Sequence, residues 1–370
     1  MNPATLADVL PSVAAALGSA VRGEPRLALP PARRAVVVLL DGLGERLLAR
    51  RSGHAPFLRS HPREVIGCGF PSTTATSMGT FGTGTLPGTH GLVGLDVLDP
   101  ARDVLFSELA WDPLVDPVLW QPGRTVFEDL VAVGIDVVRV GPAYFDGSGL
   151  TEAALRGGRF MAGAGLQDRL DATLAALASF GPGGRGLVYL YWGEIDKVGH
   201  ERGCDSWQWG EELAVADAAL QQLVERVGHD TLVVVTADHG MVDVSFENRL
   251  DVAHDDDLAA GVRHVGGEPR GLHLYCVDGA RADVLAAWRE RLGERMDLRT
   301  RDEAIAAGWF GAVHPRVAPR IGDVVGSALG PWAVIDSRTA RPEILRLIGL
   351  HGARTDDELQ VPLLAVLGGR

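Results

Sequence analysis

The sequence has few cysteines and no long apolar run, and each deficit excludes a class of protein. Only three cysteines occur in 370 residues, Cys68, Cys204 and Cys276. Their wide spacing matches neither a zinc ribbon nor a disulfide framework, so we expect a reducing, cytoplasmic environment. Because no run of about 18 apolar residues occurs, we expect no membrane span.

Positive charge and sequence repetition are also scarce. The chain carries 35 Lys and Arg residues against 48 Asp and Glu residues, a formal net charge of −13. Since non-specific binding to nucleic acid depends on Lys and Arg, a nucleic acid polymer is not an expected partner. Residues 1–20 lack a basic segment and contain Pro11, so they predict an amphipathic helix and not a signal peptide. We find no internal repeat and no low-complexity tract.

The sequence does contain alternating strand and helix patterns. A hydrophobic content of 46% and a charged content of 22% are those of a globular protein. Short apolar runs, typical of buried strands in a parallel sheet, cover residues 35–40, 136–140, 186–191 and 231–235. Helical patterns cover residues 166–179 and 207–227. This alternation predicts an open, doubly wound α/β sheet.

The alternation stops after residue 241, which suggests how the chain is divided. Residues 242–335 begin with a polar, Gly-rich stretch and continue with strand-like (272–277, 321–325) and helix-like (281–292) segments. We interpret 242–335 as an inserted α+β subdomain, and 30–241 together with 336–370 as the core. Residues 95–165 are interpreted as a smaller insertion on the substrate side.

Aspartate and histidine residues follow several of the predicted strands. Side chains beyond the carboxyl ends of parallel strands meet at one edge of the sheet, where ligands bind. Asp196 and His200 are four residues apart, a spacing that places both on one face of a helical turn. The three carboxylates and three imidazoles have the chemistry of a two-zinc site. They are Asp41, Asp196, His200, Asp238, His239 and His351.

Each of these residues also has an ordinary structural explanation. Asp41 precedes a glycine, as turn aspartates do, and Asp238 could cap a helix. Asp196 and His200 could form a solvent-facing pair on a helix, and a single His351 could serve packing alone. The functional interpretation therefore depends on their combination.

A hydroxyl-rich segment at residues 70–84 supplies a candidate nucleophile. Pro71 and Ser72 predict a helix start, and the small residues that follow allow a tightly packed helix. A hydroxyl at that start lies at the positive end of the helix dipole, which stabilises an alkoxide and an anionic phosphoryl group. Ser72, Thr73 and Thr74 all fit on local chemistry, and Ser72 or Thr73 could instead be an N-cap.

The order of these motifs resembles the alkaline phosphatase superfamily, and most closely its type I phosphodiesterase / nucleotide pyrophosphatase branch. In that branch the nucleophilic threonine lies nine residues before a Thr-Gly pair, which precedes a Pro-x-x-His-Gly element. Here Thr83-Gly84 and the element from Pro87 to Gly91 match, and the count selects Thr74. By the same resemblance His90 is a structural loop residue.

The resemblance implies a fold, a cofactor and an activity. The fold is an alkaline phosphatase-like three-layer sandwich with a mostly parallel central sheet and a smaller inserted α+β subdomain. Two zinc ions, or other divalent ions such as Mn²⁺, are held by two sets of ligands. The activity is hydrolysis of phosphodiester or pyrophosphate bonds in small molecules through a covalent phospho-threonine. The first set of ligands is Asp41, Thr74, Asp238 and His239, and the second is Asp196, His200 and His351.

One departure from the branch leaves the substrate open. The branch carries an asparagine downstream of the nucleophile that bonds a phosphoryl oxygen, and residues 91–95 contain no amide side chain. A phosphomonoesterase remains an alternative because a monoester and a diester differ by one substituent. A phosphonoacetate hydrolase-like C–P hydrolase remains one because, by the same resemblance, it uses the same threonine and two zinc ions. A catalytically silent protein that binds phosphorylated ligands is a further alternative, disfavoured because all seven site residues are present. Arg270 is interpreted as a salt-bridge or surface residue and not as a substrate contact.

Overall fold

The computed structural model describes residues 3–369 of the chain. Its strands, numbered β1 to β17 in chain order, are Arg34–Leu40, Arg63–Gly67, Asp96–Asp99, Val104–Ser107, Asp136–Gly141, Arg159–Ala162, Gly186–Trp192, Thr231–Thr236, Val242–Asp243, Arg249–Asp251, Val262–Glu268, Gly271–Cys276, Met296–Thr300, Val324–Ala328, Ala333–Ile335, Gly349–Leu350 and Gln360–Leu367. Its α-helices, α1 to α15, are Val9–Ala16, Glu45–Arg50, Pro56–Ser60, Thr74–Thr83, Pro87–His90, Pro117–Trp120, Val126–Ala132, Gly149–Ala154, Leu166–Ser179, Glu194–Arg202, Trp207–Arg226, Asp256–Ala259, Arg281–Leu292, Arg301–Ala306 and Asp356–Leu359.

A seven-stranded sheet in the order β2-β17-β8-β1-β7-β5-β6 forms the main body. Strands β8, β1, β7, β5 and β6 pair in parallel, and β17 runs antiparallel to both of its neighbours. The Val- and Leu-rich strand β8 is buried along its whole length, as expected for a strand covered on both faces. The predicted α/β fold with a mostly parallel central sheet is confirmed.

A second, antiparallel sheet has six strands in the order β13-β14-β12-β11-β3-β4. It packs against helix α13 around its own hydrophobic cluster, which includes Trp288. Two of its strands, β3 and β4, come from residues 96–107, so the two segments predicted as insertions share one sheet. The proposed boundaries of the subdomains themselves stay a prediction.

Most predicted elements occur where the sequence indicated, with small shifts at their ends. The strands within 35–40, 136–140, 186–191 and 231–235 are confirmed, as are the helices at 166–179 and 207–227. The strand expected at 321–325 begins later, at Val324. The expected N-terminal helix is observed as α1, and residues 1, 2 and 370 lie outside the described residues.

Helix α4 carries the candidate nucleophile and packs closely against its neighbours, as its small residues predicted. A Cβ atom on Gly82 would lie 1.8 Å from the Ala154 carbonyl oxygen, so only glycine allows α4 to approach α8 this closely. Within residues 3–369, every helix is too short or too polar to cross a bilayer.

Candidate functional site

Three neighbouring parallel strands end at one edge of the main sheet, and an aspartate follows each of them. Asp41 comes directly after β1, Asp238 follows β8, and Asp196 lies in α10, the helix after β7. The strands are adjacent in the order β8-β1-β7, so their carboxyl ends converge. The sequence-based expectation that these motifs meet at one edge is confirmed.

Gly42 lets the loops approach each other closely. It adopts a φ of +75°, and a Cβ atom there would lie 2.9 Å from the Asp196 Cα atom. The Gly42 N–H donates a hydrogen bond to Asp238 Oδ1 at 3.1 Å. The glycine thus links the loops that follow β1 and β8.

Each of the three carboxylates has at least one oxygen without a hydrogen-bond donor among the described residues. Asp238 Oδ1 accepts from the N–H groups of Gly42 (3.1 Å) and His239 (3.0 Å), and Asp41 Oδ2 accepts from the Tyr191 hydroxyl. Asp41 Oδ1, Asp196 Oδ1 and Asp238 Oδ2 are buried and have no partner among residues 3–369. Buried carboxylate oxygens without donors are costly unless a cation binds them.

The electrostatics of the carboxylates also favour a cation. Burial, together with the negative charges of Asp238 and Asp196, raises the pKa of Asp41 well above its ordinary value. Burial likewise raises the pKa of Asp196. A divalent ion reverses this balance, because its charge favours the ionised form of every carboxylate around it.

The three histidines are oriented in the same way, and the orientation fixes their tautomers. Each Nδ1 lies within hydrogen-bond distance of a backbone carbonyl: His200 of Gly349 (2.7 Å), His239 of Gly240 (3.0 Å) and His351 of Ser72 (2.9 Å). A carbonyl only accepts, so each Nδ1 must carry the proton. Each Nε2 then presents a lone pair, which is how metal-binding histidines are held.

Two of these Nε2 atoms, those of His239 and His200, lie close to carboxylate oxygens. His239 Nε2 lies 3.5 Å from Asp41 Oδ1 and 3.5 Å from Asp238 Oδ2, and His200 Nε2 lies 3.3 Å from Asp196 Oδ2. Lone pairs facing one another at such distances repel, and a metal ion between them turns the repulsion into ligation. The donor set therefore fits divalent metal ions.

Two groups of three side chains could each hold a metal ion, since the ligand atoms within each group lie within 4.8 Å of one another. One comprises Asp41, Asp238 and His239, and the other comprises Asp196, His239 and His351. His200 contacts Asp196, and its ring centroid lies 5.1 Å from that of His351. Burial and the neighbouring histidines lower the pKa of His351, which keeps its ring neutral. All six predicted Asp and His residues thus meet at one place.

Of the three candidate hydroxyls, only that of Thr74 faces this cluster. Thr74 is the first residue of α4, and its Oγ1 lies 3.2 Å from His239 Nε2. The Ser72 hydroxyl donates to the Ala353 carbonyl at 2.8 Å, and that of Thr73 donates to Glu268 at 2.5 Å. Thr73 is the N-cap residue of α4 in backbone terms, and the helix starts two residues later than predicted.

Two residues beside the cluster were not predicted from the sequence. The Tyr191 hydroxyl donates to Asp41, and the buried Glu268 carboxyl accepts from Thr73. Burial raises the pKa of Glu268 to about 8. Tyr189 and Tyr191 are two residues apart in the predicted strand, so their side chains lie on the same face of the sheet. This spacing could have indicated from the sequence that Tyr191 lies near the site. No local sequence pattern marks Glu268 as a residue of the site.

The C-terminal segment is fixed by a buried ion pair. The Arg270 guanidinium donates to both oxygens of Glu358, with Nη2–Oε2 at 2.8 Å. Glu358 also accepts from the Ala353 N–H at 2.9 Å, two residues beyond His351. The pair therefore connects Arg270 to the loop that carries His351. The interpretation of Arg270 as a salt-bridge residue is confirmed.

His90 is built into the scaffold. Its Nδ1 accepts from the Leu92 N–H at 3.1 Å, and its Nε2 lies 3.1 Å from the Thr80 hydroxyl. Both ring nitrogens therefore have protein partners, and the ring connects α4 to the loop that follows α5.

A cavity of about 420 Å³ opens beside Thr74. Most of its lining is apolar or aromatic, and includes Met78, Phe145, Phe160 and Tyr189. One cationic side chain, Arg139, also lines it. The cavity gives the candidate nucleophile an apolar compartment of the size that small organic ligands occupy.

Residues 35–354 match the model of a family described as type I phosphodiesterase / nucleotide pyrophosphatase. A similar curated protein is an uncharacterized pyrophosphatase/phosphodiesterase of Schizosaccharomyces pombe, 24% identical over 337 residues. That similarity covers 82% of this chain, and the chain spans 62% of the length of the yeast relative.

Two solved structures share the fold. An inactive murine ectonucleotide pyrophosphatase / phosphodiesterase 5 in complex with AMP has a TM-score of 0.72 and 18% identity, covering 90% of this chain and 87% of its own. Phosphonoacetate hydrolase from Sinorhizobium meliloti 1021 in complex with phosphonoacetate has a TM-score of 0.67 and 20% identity, covering 91% of each chain.

Proposed function

This chain belongs to the type I phosphodiesterase / nucleotide pyrophosphatase family of hydrolases, and we propose that it is itself a di-zinc phosphohydrolase. In this proposal it cleaves phosphodiester or pyrophosphate bonds of small molecules through a covalent phospho-threonine. The proposal depends on one observation: buried carboxylate oxygens without hydrogen-bond donors and unprotonated Nε2 atoms cluster around the Thr74 hydroxyl. The alkaline phosphatase-like fold of its structural neighbours supports it.

The first proposed ligand set is the first of the two groups of side chains, and the second set takes His200, which contacts Asp196, in place of His239. Asp41, Asp238 and His239, with the Thr74 oxygen, would hold one zinc ion. The other would be held by Asp196, His200 and His351. When bound, the two ions supply positive charge that acidifies a hydroxyl and neutralises phosphoryl oxygens. The same oxygen and imidazole ligands also accept other divalent ions such as Mn²⁺.

Thr74 is proposed as the nucleophile. Its hydroxyl proton is released to water, and Oγ1 forms a bond to phosphorus while the bond from phosphorus to the leaving-group oxygen breaks. The leaving group departs with that electron pair, and Thr74 carries the phosphoryl group. A water molecule then attacks the phosphorus, which restores the Thr74 hydroxyl and releases the phosphate product.

The start of α4 is proposed to take over the task of the missing asparagine. In the described part of the chain, the Thr73 side chain accepts no hydrogen bond from the first turn of this helix. The N–H groups of that turn therefore remain for a phosphoryl oxygen, at the positive end of the helix dipole. Such donors stabilise the charge that develops in the transition state.

Tyr191 and Glu268 act as positioning residues in this scheme. Tyr191 fixes Asp41 Oδ2, so that Asp41 Oδ1 would remain available to bind a metal ion. Glu268 holds the Thr73 hydroxyl away from the cluster, so that Thr74 alone faces it. The apolar cavity beside Thr74 would exclude water from the organic part of the substrate.

A small phosphate or phosphonate ester is the proposed substrate class. The two structural neighbours are in complex with AMP, a phosphate ester, and with phosphonoacetate, a phosphonate. A diester differs from a monoester by one organic substituent, and the cavity of about 420 Å³ offers room for that substituent. We therefore favour diesters. The proposed location is the cytoplasm, since Cys68, Cys204 and Cys276 are buried and form no disulfide within the described residues.

A panel of three substrates tests the reaction class. We expect the zinc-loaded protein to hydrolyse bis(4-nitrophenyl) phosphate at least about tenfold faster, in kcat/KM, than 4-nitrophenyl phosphate, because the cavity favours a second organic group. Released nitrophenolate is measured by absorbance, and phosphonoacetate cleavage by release of inorganic phosphate.

The other results of this panel identify the alternatives. A preference for the monoester would identify a phosphomonoesterase. If phosphonoacetate is the only one of the three substrates to be cleaved, the protein is a C–P hydrolase. A metal-loaded protein that turns over none of the three would overturn the hydrolase proposal in favour of a silent binding protein.

A further inference from the structure

Arg139 is the one charged side chain among the described residues that line the cavity beside Thr74. It lies on β5, two residues before the strand ends, and its register partner on β7 is Tyr189. Paired residues on parallel strands point to the same face of a sheet, and Tyr189 lines the same cavity. The strand therefore presents the guanidinium to the compartment that adjoins the nucleophile.

Two of the three nitrogens of this guanidinium are buried without a hydrogen-bond partner in the described part of the chain. Arg139 is 7% exposed, and its Nε and Nη1 atoms have no acceptor within residues 3–369. Its Cζ lies 5.9 Å from the centre of the Phe160 ring. That contact uses one face of the planar group and leaves the N–H donors at its edges free.

The other buried arginines of the described chain differ from Arg139 in this respect. Arg169 bonds the Gly163 carbonyl (3.0 Å) and Glu194 (3.3 Å). Arg270 bonds Glu358 (2.9 Å), and Arg320 bonds the Gly91 carbonyl (2.8 Å). Among the described residues, the other three buried arginines therefore have hydrogen-bond acceptors, whereas Nε and Nη1 of Arg139 have none.

A buried cation without acceptors is unfavourable, and the cost is removed when an anion binds. Burial lowers the pKa of Arg139, and the charges of Glu152 and Asp146 partly oppose that effect. Neither acidic residue lines the cavity or pairs with Arg139 in the described structure. The donors of a guanidinium match the oxygens of a carboxylate or a phosphate.

We propose that Arg139 is a specificity residue that binds an oxyanion on the organic part of the substrate. This inference rests on the proposed phosphohydrolase function and narrows its substrate class. The substrate is a phosphate ester whose organic part has an apolar or aromatic body and carries a second anionic group, a carboxylate or another phosphate.

Matched chromogenic diesters test the proposal. They are 4-nitrophenyl esters of 4-carboxyphenyl, 4-phosphonophenyl and 4-carbamoylphenyl phosphate, of which the carbamoyl compound lacks the second anion. We expect the parent protein to prefer an anionic diester over the carbamoyl diester by roughly 10- to 100-fold in kcat/KM. The ratio between the carboxyl and phosphono compounds identifies which oxyanion the cavity takes.

Arg139→Gln is expected to reduce this preference to within about threefold of unity, because the charged donor is lost. Arg159→Gln is the matched control. Arg159 is the exposed residue that pairs with Val138 on the neighbouring strand, so the same charge is removed outside the cavity. Equal rates of the parent on all three diesters, or an unchanged preference in Arg139→Gln, would overturn the proposal.

A binding measurement separates this inference from the proposed function. Calorimetric titration of the zinc-loaded parent with benzoate and benzamide requires no turnover. We expect benzoate to bind more tightly than benzamide in the parent and in Arg159→Gln, and no difference in Arg139→Gln. If no diester is hydrolysed but this pattern holds, the hydrolase proposal fails and the anion site stands. Equal affinities of the parent for benzoate and benzamide would overturn the proposed anion site, whatever the result of the hydrolysis assays.

Protein stability provides the control for folding. Since Nε and Nη1 of Arg139 have no acceptor within residues 3–369, Arg139→Gln should unfold at the same temperature as the parent or at a higher one, as measured by calorimetry. A large drop in the unfolding temperature would instead identify Arg139 as a structural residue and contradict the proposal.

Discussion

Thr74→Ala is expected to lower kcat by between roughly 10³- and 10⁶-fold while the protein stays folded and keeps its metal ions. The substitution removes the atom proposed to form the bond to phosphorus. The three carboxylates and three imidazoles are unchanged, so their cluster should still bind metal. Turnover of bis(4-nitrophenyl) phosphate, unfolding temperature and metal content are the measurements.

Two matched variants make this prediction sharper. Thr74→Ser keeps a hydroxyl at the start of α4 and should retain measurable activity. Thr73→Ala removes the adjacent hydroxyl, which donates to Glu268 and faces away from the cluster, and should retain most of the activity. An active Thr74→Ala protein together with an inactive Thr73→Ala protein would show that the nucleophile is assigned one residue too late.

His351→Ala is expected to release one of the two metal ions and leave the other bound. His351 presents Nε2 from the loop after β16, and we assign it to the ion that Asp196 and His200 also hold. Loss of groups that merely orient a metal ligand costs 10- to 100-fold in affinity, and loss of a direct ligand should cost at least about as much. Metal content after dialysis, measured by elemental analysis, should fall from two ions per chain to one.

His254→Ala is the matched control, because the His254 side chain is 82% exposed. This variant should keep both ions. Two ions at full occupancy in His351→Ala would remove His351 from the ligand set, and loss of both would mean that the two sites do not bind independently.

Strands and helices with strong patterns could be predicted from the sequence. The valine-rich runs that became β1 and β8, and the helix Leu166–Ser179, have one clear periodicity each. Because parallel strands share a carboxyl edge, the meeting of Asp41, Asp196 and Asp238 could also be expected. The start of α4 was less clear, since Ser72, Thr73 and Thr74 are chemically alike.

Long-range contacts could not be predicted from local patterns. The separation of Thr74 from Thr73 depends on Glu268, which lies 195 residues away from Thr73. The pairing of β3 with β11, which joins two segments predicted as separate insertions, has no local signal either. Arg139 lies in a predicted strand, but its lack of acceptors depends on the packing of several distant elements around it.

Diffraction from crystals of the zinc-loaded protein, recorded on both sides of the zinc absorption edge, tests whether two metal ions occupy the cluster around Thr74. We expect two anomalous peaks, one among Asp41, Asp238, His239 and the Thr74 hydroxyl, and the other among Asp196, His200 and His351. The absence of anomalous density at these residues in a zinc-saturated crystal would show that the cluster is not a metal site.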